Sequence, residues 1–180
     1  MSASVLLDTS FLISLVQSDR PNHLTAKQYY RHLLEKNIPM YLSAIVASEF
    51  GIKQPISDLP LGNFRSLHFN IVHGQKAAEV WNALGVRDAG DTRAAVRDDA
   101  KLIAQASHEG IHFILTEDAS SLHKYCERLR EAGHISTRSV TLREGFRPEF
   151  LRDDGQVDWI GDVSGKAEPR TPTDTDDDGT

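Results

Sequence analysis

The sequence predicts an α/β fold: a three-layer domain in which a central, mostly parallel and twisted sheet is flanked by helices. Three observations carry the prediction. Short apolar runs of strand length alternate with stretches of helical periodicity as far as about residue 142. The chain has 180 residues, 39% of them hydrophobic, which suffices for one buried core and leaves little room for a second. Several acids stand directly after apolar runs, at the strand ends beyond which parallel sheets gather their ligands.

The elements follow in order. Val5, Leu6 and Leu7 read as a short buried strand ending at Asp8, and 11–16 as a compact apolar helix. Asn22 is placed to cap a helix through about Lys36, whose apolar positions Leu24, Tyr30, Leu33 and Leu34 leave charges on the other side. Residues 40–42 form the next strand. Ser43 is placed to cap a helix over 44–52, and Pro55 and Pro60 mark a loop. A third strand is expected within 67–72, then a helix over 75–84 and a polar loop over 87–92. A helix from about Ala95 to Glu109, stopped by Gly110, leads into a strand over 111–115. Asp118 or Ser120 starts a helix reaching Arg130, and 139–142 offers the last strand. Beyond Asp153 the chain is dominated by Gly, Pro, Thr and Asp, with Val157, Trp159, Ile160 and Val163 as its apolar anchors. A domain over 1–150 followed by an acidic, disordered tail over 151–180 is therefore expected.

Composition excludes several classes. No run of 18 apolar residues exists, and the first residues lack a basic segment followed by a long apolar one, so neither membrane insertion nor export is expected. The single Cys126 can form neither an internal disulfide nor a cysteine-rich zinc site, which fits a reducing cytoplasm. The net charge of −6 is unevenly placed. Residues 153–180 hold nine of the 26 acids and two of the 20 bases, for −7, and the rest of the chain nets +1. The body is thus close to neutral, and an anionic partner is not excluded.

Four acids fall where the pattern calls for something else. Asp8 follows an apolar strand directly, although it also suits a helix cap. On the helix over 44–52, Ile45, Val46 and Ile52 share a stripe that contains Glu49; the plainer alternative pairs Glu49 with Lys53. Positions 99, 102, 103 and 106 form one stripe and Asp98 sides with Lys101 and Gln105, which makes Asp99 the inward acid; complementing the helix dipole is the alternative for both. Asp118 comes after the strand over 111–115, in Thr116-Glu117-Asp118, or else caps the next helix. Together they place four acids from four αβ units at one sheet edge. Such a cluster repels itself and must take up protons or a cation. With no Cys or His set at ligand spacing, oxygen-only ligation favours Mg²⁺ or Mn²⁺.

Four segments carry a family resemblance: Leu6-Leu7-Asp8-Thr9-Ser10-Phe11-Leu12-Ile13, Ser43-Ala44-Ile45-Val46-Ala47-Ser48-Glu49-Phe50, Asp99-Ala100-Lys101-Leu102-Ile103-Ala104-Gln105-Ala106 and Ile114-Leu115-Thr116-Glu117-Asp118. In this order they resemble the PIN-domain ribonucleases, the fold of VapC-type toxins and related RNA-processing nucleases, over residues 4 to 142. The resemblance implies a metal-dependent endoribonuclease with Asp8, Glu49, Asp99 and Asp118 as its acidic quartet and Ser10 and Thr116 as supporting hydroxyls. Asp8 and Asp99 would carry the first ion, with Glu49 and Asp118 completing its shell through water or holding a second one. An ion held by carboxylates neutralises the phosphate and activates water, so no side-chain nucleophile is needed.

Cations flanking these acids in sequence, Lys53, Arg87, Arg93, Arg97 and Lys101, are candidates for gripping phosphates; solvated surface charges are the alternative for each. Expected partners are single-stranded or looped RNA, an antitoxin protein if the chain is a toxin, and a second copy of the chain, with no membrane. A catalytically silent PIN-like module that binds RNA or protein is the alternative, as is a processing nuclease outside any toxin pair. A dehalogenase-type phosphohydrolase would want an acid where Ser10 stands, and a receiver domain a pair of acids after its first strand. Asp176 to Thr180 matches D-x-D-G-T with no strand before it, and Asp174 to Gly179 begins like a calcium loop whose chelating glutamate never comes. His73, His108, His112, His123 and His134 are scattered without a local partner and receive no catalytic role.

Overall fold

The computed structural model describes residues 3–86, 88 and 90–152. Arg87 lies outside the described residues, as does the tail expected over 151–180 except for Leu151 and Arg152; Leu151 is buried at the end of a 3₁₀ turn over Pro148–Leu151. The elements are β1 (Val5–Leu7), α1 (Thr9–Val16), α2 (His23–Glu35), β2 (Met40–Ser43), α3 (Ala44–Lys53), β3 (Arg65–Leu67), α4 (Ile71–Leu84), α5 (Arg93–His108), β4 (Phe113–Thr116), α6 (Leu122–Glu131) and β5 (Arg138–Thr141), with short 3₁₀ turns between and after them.

The five strands form one sheet in the order β3-β2-β1-β4-β5, and every pairing is parallel. Helices cover it to give the three-layer α/β arrangement that the alternating pattern predicts: α1 packs on α2 and α3, and α4, α5 and α6 pack on one another. The two central strands explain their own sequences. Every residue of β1 and β4 is buried, so Val-Leu-Leu and Phe-Ile-Leu-Thr show no alternation, as expected of strands covered on both faces. At one edge, β3 exposes Arg65 and Ser66, polar residues that discourage pairing with another chain.

The strand order reverses beside β1. The chain runs outward from β1 to β2 and β3, then returns to lay β4 against the other side of β1. Parallel sheets open a crevice at such a switch point, beyond the carboxyl ends of the two strands. The Asp8 N–H donates to the Leu115 carbonyl at 3.0 Å, which carries the β1–β4 pairing one residue past the strand. Asp8 and Thr116 consequently leave the sheet side by side.

Several boundaries differ from the sequence reading. The third strand is Arg65–Leu67 rather than 67–72, because Ile71 and Val72 open α4. A capping box starts that helix: the Asn70 side chain accepts the His73 N–H, and His73 Nδ1 accepts the Asn70 N–H, each at 3.1 Å. Ile71 and Val72 are exposed on the first turn, so their apolar character mimicked a strand. Helix α5 begins at Arg93, with Thr92 accepting the Ala95 N–H at 3.3 Å, and β4 extends to Thr116. Asn22 precedes α2 as expected, but its side chain donates to Glu117 at 2.7 Å instead of capping the helix. Gln105, placed by the sequence on the outward side of its helix with Asp98, is buried; it accepts from Ser43 Oγ at 2.6 Å and donates to the His68 carbonyl at 3.0 Å. A buried amide with both ends bonded carries no desolvation deficit.

No helix among the described residues is long and apolar enough to cross a membrane. Cys126 is fully buried in α6, and burial pushes its thiol up to about 12. Because the thiolate is the reactive form, native protein at pH 8 should leave an aromatic disulfide reagent such as DTNB unreacted until denaturant is added. Full titration of one thiol in native buffer would contradict that packing.

Candidate active site

All four acids singled out in the sequence line one cavity of about 410 Å³. Asp8 enters from the end of β1, Glu49 from α3, Asp99 from α5, and Asp118 from the segment after β4. Four chain segments thus converge beyond the carboxyl ends of the central strands.

Each carboxylate has its own local support. Asp8 is the N-cap of α1, and its Oδ2 accepts the Ser10 N–H at 3.2 Å, the Ser10 hydroxyl at 2.6 Å and the Thr116 hydroxyl at 2.8 Å. Ser10 and Thr116 accept in turn from the N–H groups of Glu117 and Asp118, at 2.8 and 2.9 Å. The loop after β4 is therefore fastened to the start of α1 through the two hydroxyls. Glu49 accepts from Thr9 Oγ1 at 2.5 Å. Asp99 accepts from the Ser121 hydroxyl. Asp118 Oδ1 accepts from the N–H and hydroxyl of Ser120 and from the Ser121 N–H, at 2.7–2.9 Å, so it also fastens the turn that leads into α6. Capping and lining the cavity are thus compatible for Asp8, whereas Asp118 braces the turn before α6, whose N-cap is Ser121.

The electrostatics separate the four. Burial raises the Asp8 carboxyl despite the bonds from Ser10 and Thr116. Burial also raises Glu49, opposed by the Thr9 bond and reinforced by the charges of Asp8 and Asp98. Asp99 is pushed up to about 7, first by burial, then by the charges of Asp8, Asp118 and Glu49, against the Ser121 bond. Burial pushes Asp118 upward too, but its bonds from Ser120, Ser121 and Leu122 outweigh that, and it lies below the usual carboxylate range. One firmly ionised acid faces three that resist ionisation, the signature of like charges sharing a partly dry site.

The donor set fits a hard divalent cation: carboxylates and hydroxyls, with no thiol or imidazole lining the cavity. No three of these acids bring carboxylate oxygens within 4.8 Å of one another. Among the described residues, the one set of potential ligands with its atoms all within 4.8 Å is His73, His108 and Glu109. That set is structural. His73 Nδ1 accepts a backbone N–H, so the proton of its neutral ring sits on Nε2 and is donated to Glu109 at 2.7 Å, leaving no lone pair there for a metal. Three histidines without a local partner in the sequence find distant ones: His73 with Glu109, His112 Nδ1 with Ser4 Oγ at 2.8 Å, and His123 Nδ1 with Ser139 Oγ at 2.7 Å.

Of the cations expected to flank the acids, Lys53 lines this cavity. Lys101 pairs with Asp98 at 2.7 Å, and Arg97 lies 3.9 Å from the same carboxylate. Arg93, Arg97 and Lys101 line a neighbouring hollow instead. The buried stripe of α3 differs from the expected one: the helix buries Val46 and Phe50, whereas Ile52 is 83% exposed and forms part of the cavity rim. Sequence reasoning missed Thr9 and Ser121, which contact the acids, and Asp98, which lines the cavity. Only Asp98 had a signal of its own, its place beside Asp99. Glu117, adjacent to Asp118, turns away to bond Ser14, Arg20 and Asn22, each at 2.7 Å.

Comparison with known proteins agrees with this architecture. A search of curated protein sequences gave no significant match. Among solved structures, FitAcB from Neisseria gonorrhoeae is similar with a TM-score of 0.55 and 18% identity, covering 77% of this chain and 98% of that one. VapBC2 from Rickettsia felis, bound to a DNA fragment from their promoter, has a TM-score of 0.51 and 16% identity, covering 76% and 97%. Mycobacterium tuberculosis VapC20, a sarcin–ricin-loop-cleaving toxin, has 0.51 and 19%, covering 75% and 99%. Identities this low speak for the fold alone. The family profile of the PIN domain matches residues 5–128, and the chain therefore belongs to the PIN-domain family.

Proposed function

We propose that this chain is a Mg²⁺- or Mn²⁺-dependent endoribonuclease that acts in the cytoplasm as the toxin of a toxin–antitoxin pair. The observation that carries the reading is the convergence of Asp8, Glu49, Asp99 and Asp118 on one cavity at the switch point of a parallel sheet. Membership of the PIN family supports nuclease chemistry, and the shared fold with VapC20 supports the toxin role. A bound divalent ion supplies Lewis acidity toward the phosphate and toward the attacking water. Asp8 and Asp99 are the ligands proposed for it, and Glu49 and Asp118 complete its shell through water or hold a second ion. Ser10, Thr116, Thr9 and Ser121 fix the rotamers of three of these carboxylates, the support that ligands need to stay aligned. Lys53 at the rim faces the phosphates of single-stranded or looped RNA. An antitoxin protein and a second copy of the chain are the proposed protein partners.

Incubation of the purified protein with mixed cellular RNA should give cleavage with Mg²⁺ or Mn²⁺, none with excess EDTA, and recovery on adding metal back. Cleavage that persists undiminished in EDTA would overturn the metal dependence. Induced expression should arrest growth and co-expression of the adjacent gene's product should relieve it; growth without arrest would count against the toxin role alone.

A further inference from the structure

Beside the acid-lined cavity lies a second hollow, of about 280 Å³, walled by α4 and α5. From α4 comes Trp81, half-buried, with Ala77 beside it; from α5 come Arg93, Arg97 and Lys101. The three cations follow one another at i, i+4 and i+8, so they stack along one helix face. Helix α5 is the ridge between the two hollows, since Ala95, Asp98 and Asp99 of the same helix line the acid cavity. The Arg93 guanidinium lies over the Trp81 ring, 5.9 Å from its centroid. Asp98 is the carboxylate that Lys101 and Arg97 share, and the Arg97 side chain remains 59% exposed. Like charges at this spacing repel, and one carboxylate neutralises only part of them, which leaves a site suited to an anion next to an aromatic face.

We propose that the Trp81 hollow is a nucleotide subsite: it takes one unpaired nucleotide of the RNA next to the cleaved phosphate, with the base replacing the Arg93 guanidinium over the Trp81 ring and the phosphates on Arg93, Arg97 and Lys101. The adjacency to a cleaved phosphate rests on the nuclease reading above; the binding of an unpaired nucleotide does not. A base can reach the indole face only when it is out of a duplex, so the hollow selects single-stranded or looped RNA. It also requires the strand to cross α5 from cations to acids, which places the backbone over Asp98 and brings the next phosphate to the mouth of the acid cavity.

The sequence has two tryptophans, so Trp159→Phe leaves Trp81 as the sole indole reporter. Full-length protein in EDTA, titrated at low salt with a mixed-sequence 12-nucleotide RNA, should show quenching of Trp81 fluorescence. The same RNA annealed to its complement should quench far less. Trp81→Ala should weaken single-strand affinity by about tenfold, and Trp81→Phe should restore most of it, because stacking needs a ring and not an indole. Replacing Arg93 and Arg97 together by alanine should lower the salt dependence of binding by roughly 0.7 in log–log slope for each phosphate that is no longer neutralised. This pair of surface substitutions keeps the test valid if Trp81→Ala does not fold. Unchanged affinity in both variants, with metal-dependent cleavage intact, would overturn the subsite and leave the nuclease reading standing. Quenching without cleavage in any metal would retain the subsite and overturn the nuclease reading. A change in sedimentation of the RNA-free variants with RNA affinity unchanged would assign the hollow to a protein contact and overturn the proposal.

Discussion

Replacing Asp8 by asparagine is expected to lower metal-dependent RNA cleavage by at least about 100-fold while leaving the protein folded, because the ion's charge stabilisation is worth several kcal/mol and each 1.36 kcal/mol is a factor of ten. The substitution isolates charge from shape. The three bonds to Asp8 converge on Oδ2, and an amide oxygen can accept them from the Ser10 N–H, the Ser10 hydroxyl and the Thr116 hydroxyl. Asparagine is also as good an N-cap for α1 as aspartate. What is lost is one negative charge facing the cavity, in a place where burial already opposes it. The variant should therefore match the wild type in circular dichroism and exceed it slightly in thermal midpoint when metal is absent. Rates measured with saturating Mn²⁺ in preparations freed of contaminating nuclease give the check. Cleavage at the wild-type rate would remove Asp8 from the site, and with it the reading of the cavity. Ser10→Ala sets the scale for mere positioning: it deletes one hydroxyl donor to Asp8 and one acceptor for Glu117, so a loss of roughly 10- to 100-fold is expected.

How much of this was legible in the sequence depends on the range of the interaction. Asp8 could be found because a strand end is a local event: an apolar run stops and an acid follows. After Leu115 the same signal meets Glu117 first, which turns away from the cavity, and the family resemblance is what singles out Asp118. Helical periodicity assigns Asp99 and Asp98 to different faces, and their partners do differ, Ser121 for Asp99 and Lys101 for Asp98, yet both line the cavity, so the separation holds only in part. Glu49 was found for a reason only partly right. Its apolar neighbour Ile52 suggested a buried stripe, whereas Ile52 stands at the cavity rim and the buried face runs through Val46 and Phe50. Thr9 and Ser121 left no trace because hydroxyls have no periodic signature and their partners are 40 and 22 residues away. Trp81 was invisible for the same reason: its hollow exists only where α4 packs on α5. The start of α4 was misread because Asn70 and His73 form a capping box without the usual glutamate, and two exposed aliphatic residues follow the cap.

Asp99→Asn is expected to do two opposite things: remove most of the cleavage activity and make the metal-free protein more stable at pH 8. Asp99 has its carboxyl raised from 3.8 to about 7, by burial first and by Asp8, Asp118 and Glu49 next. A group whose folded value lies above its unfolded value binds a proton more tightly when folded. Its contribution to stability is complete below about 3.8 and is lost as pH rises through about 7. In EDTA the wild type should accordingly gain thermal stability as pH is lowered from 8 to 5.5. Asp118 and Glu117 run the other way, since their folded values are depressed; their contribution is lost only as pH falls through and below the ordinary carboxylate range, outside this window. Asparagine removes the buried charge and can still accept the Ser121 hydroxyl, so it should raise stability in EDTA at pH 8 by on the order of 2 kcal/mol and flatten the rise between pH 8 and 5.5. Metal and proton compete for the same oxygens, so added Mn²⁺ should stabilise the wild type strongly at pH 8 and weakly at pH 5.5. The variant should lose most of that increment at either pH. Scanning calorimetry of both proteins, with EDTA and with Mn²⁺, reads all of these shifts in one series. A variant no more stable than the wild type at pH 8 without metal would mean that Asp99 carries no charge stress for a cation to relieve.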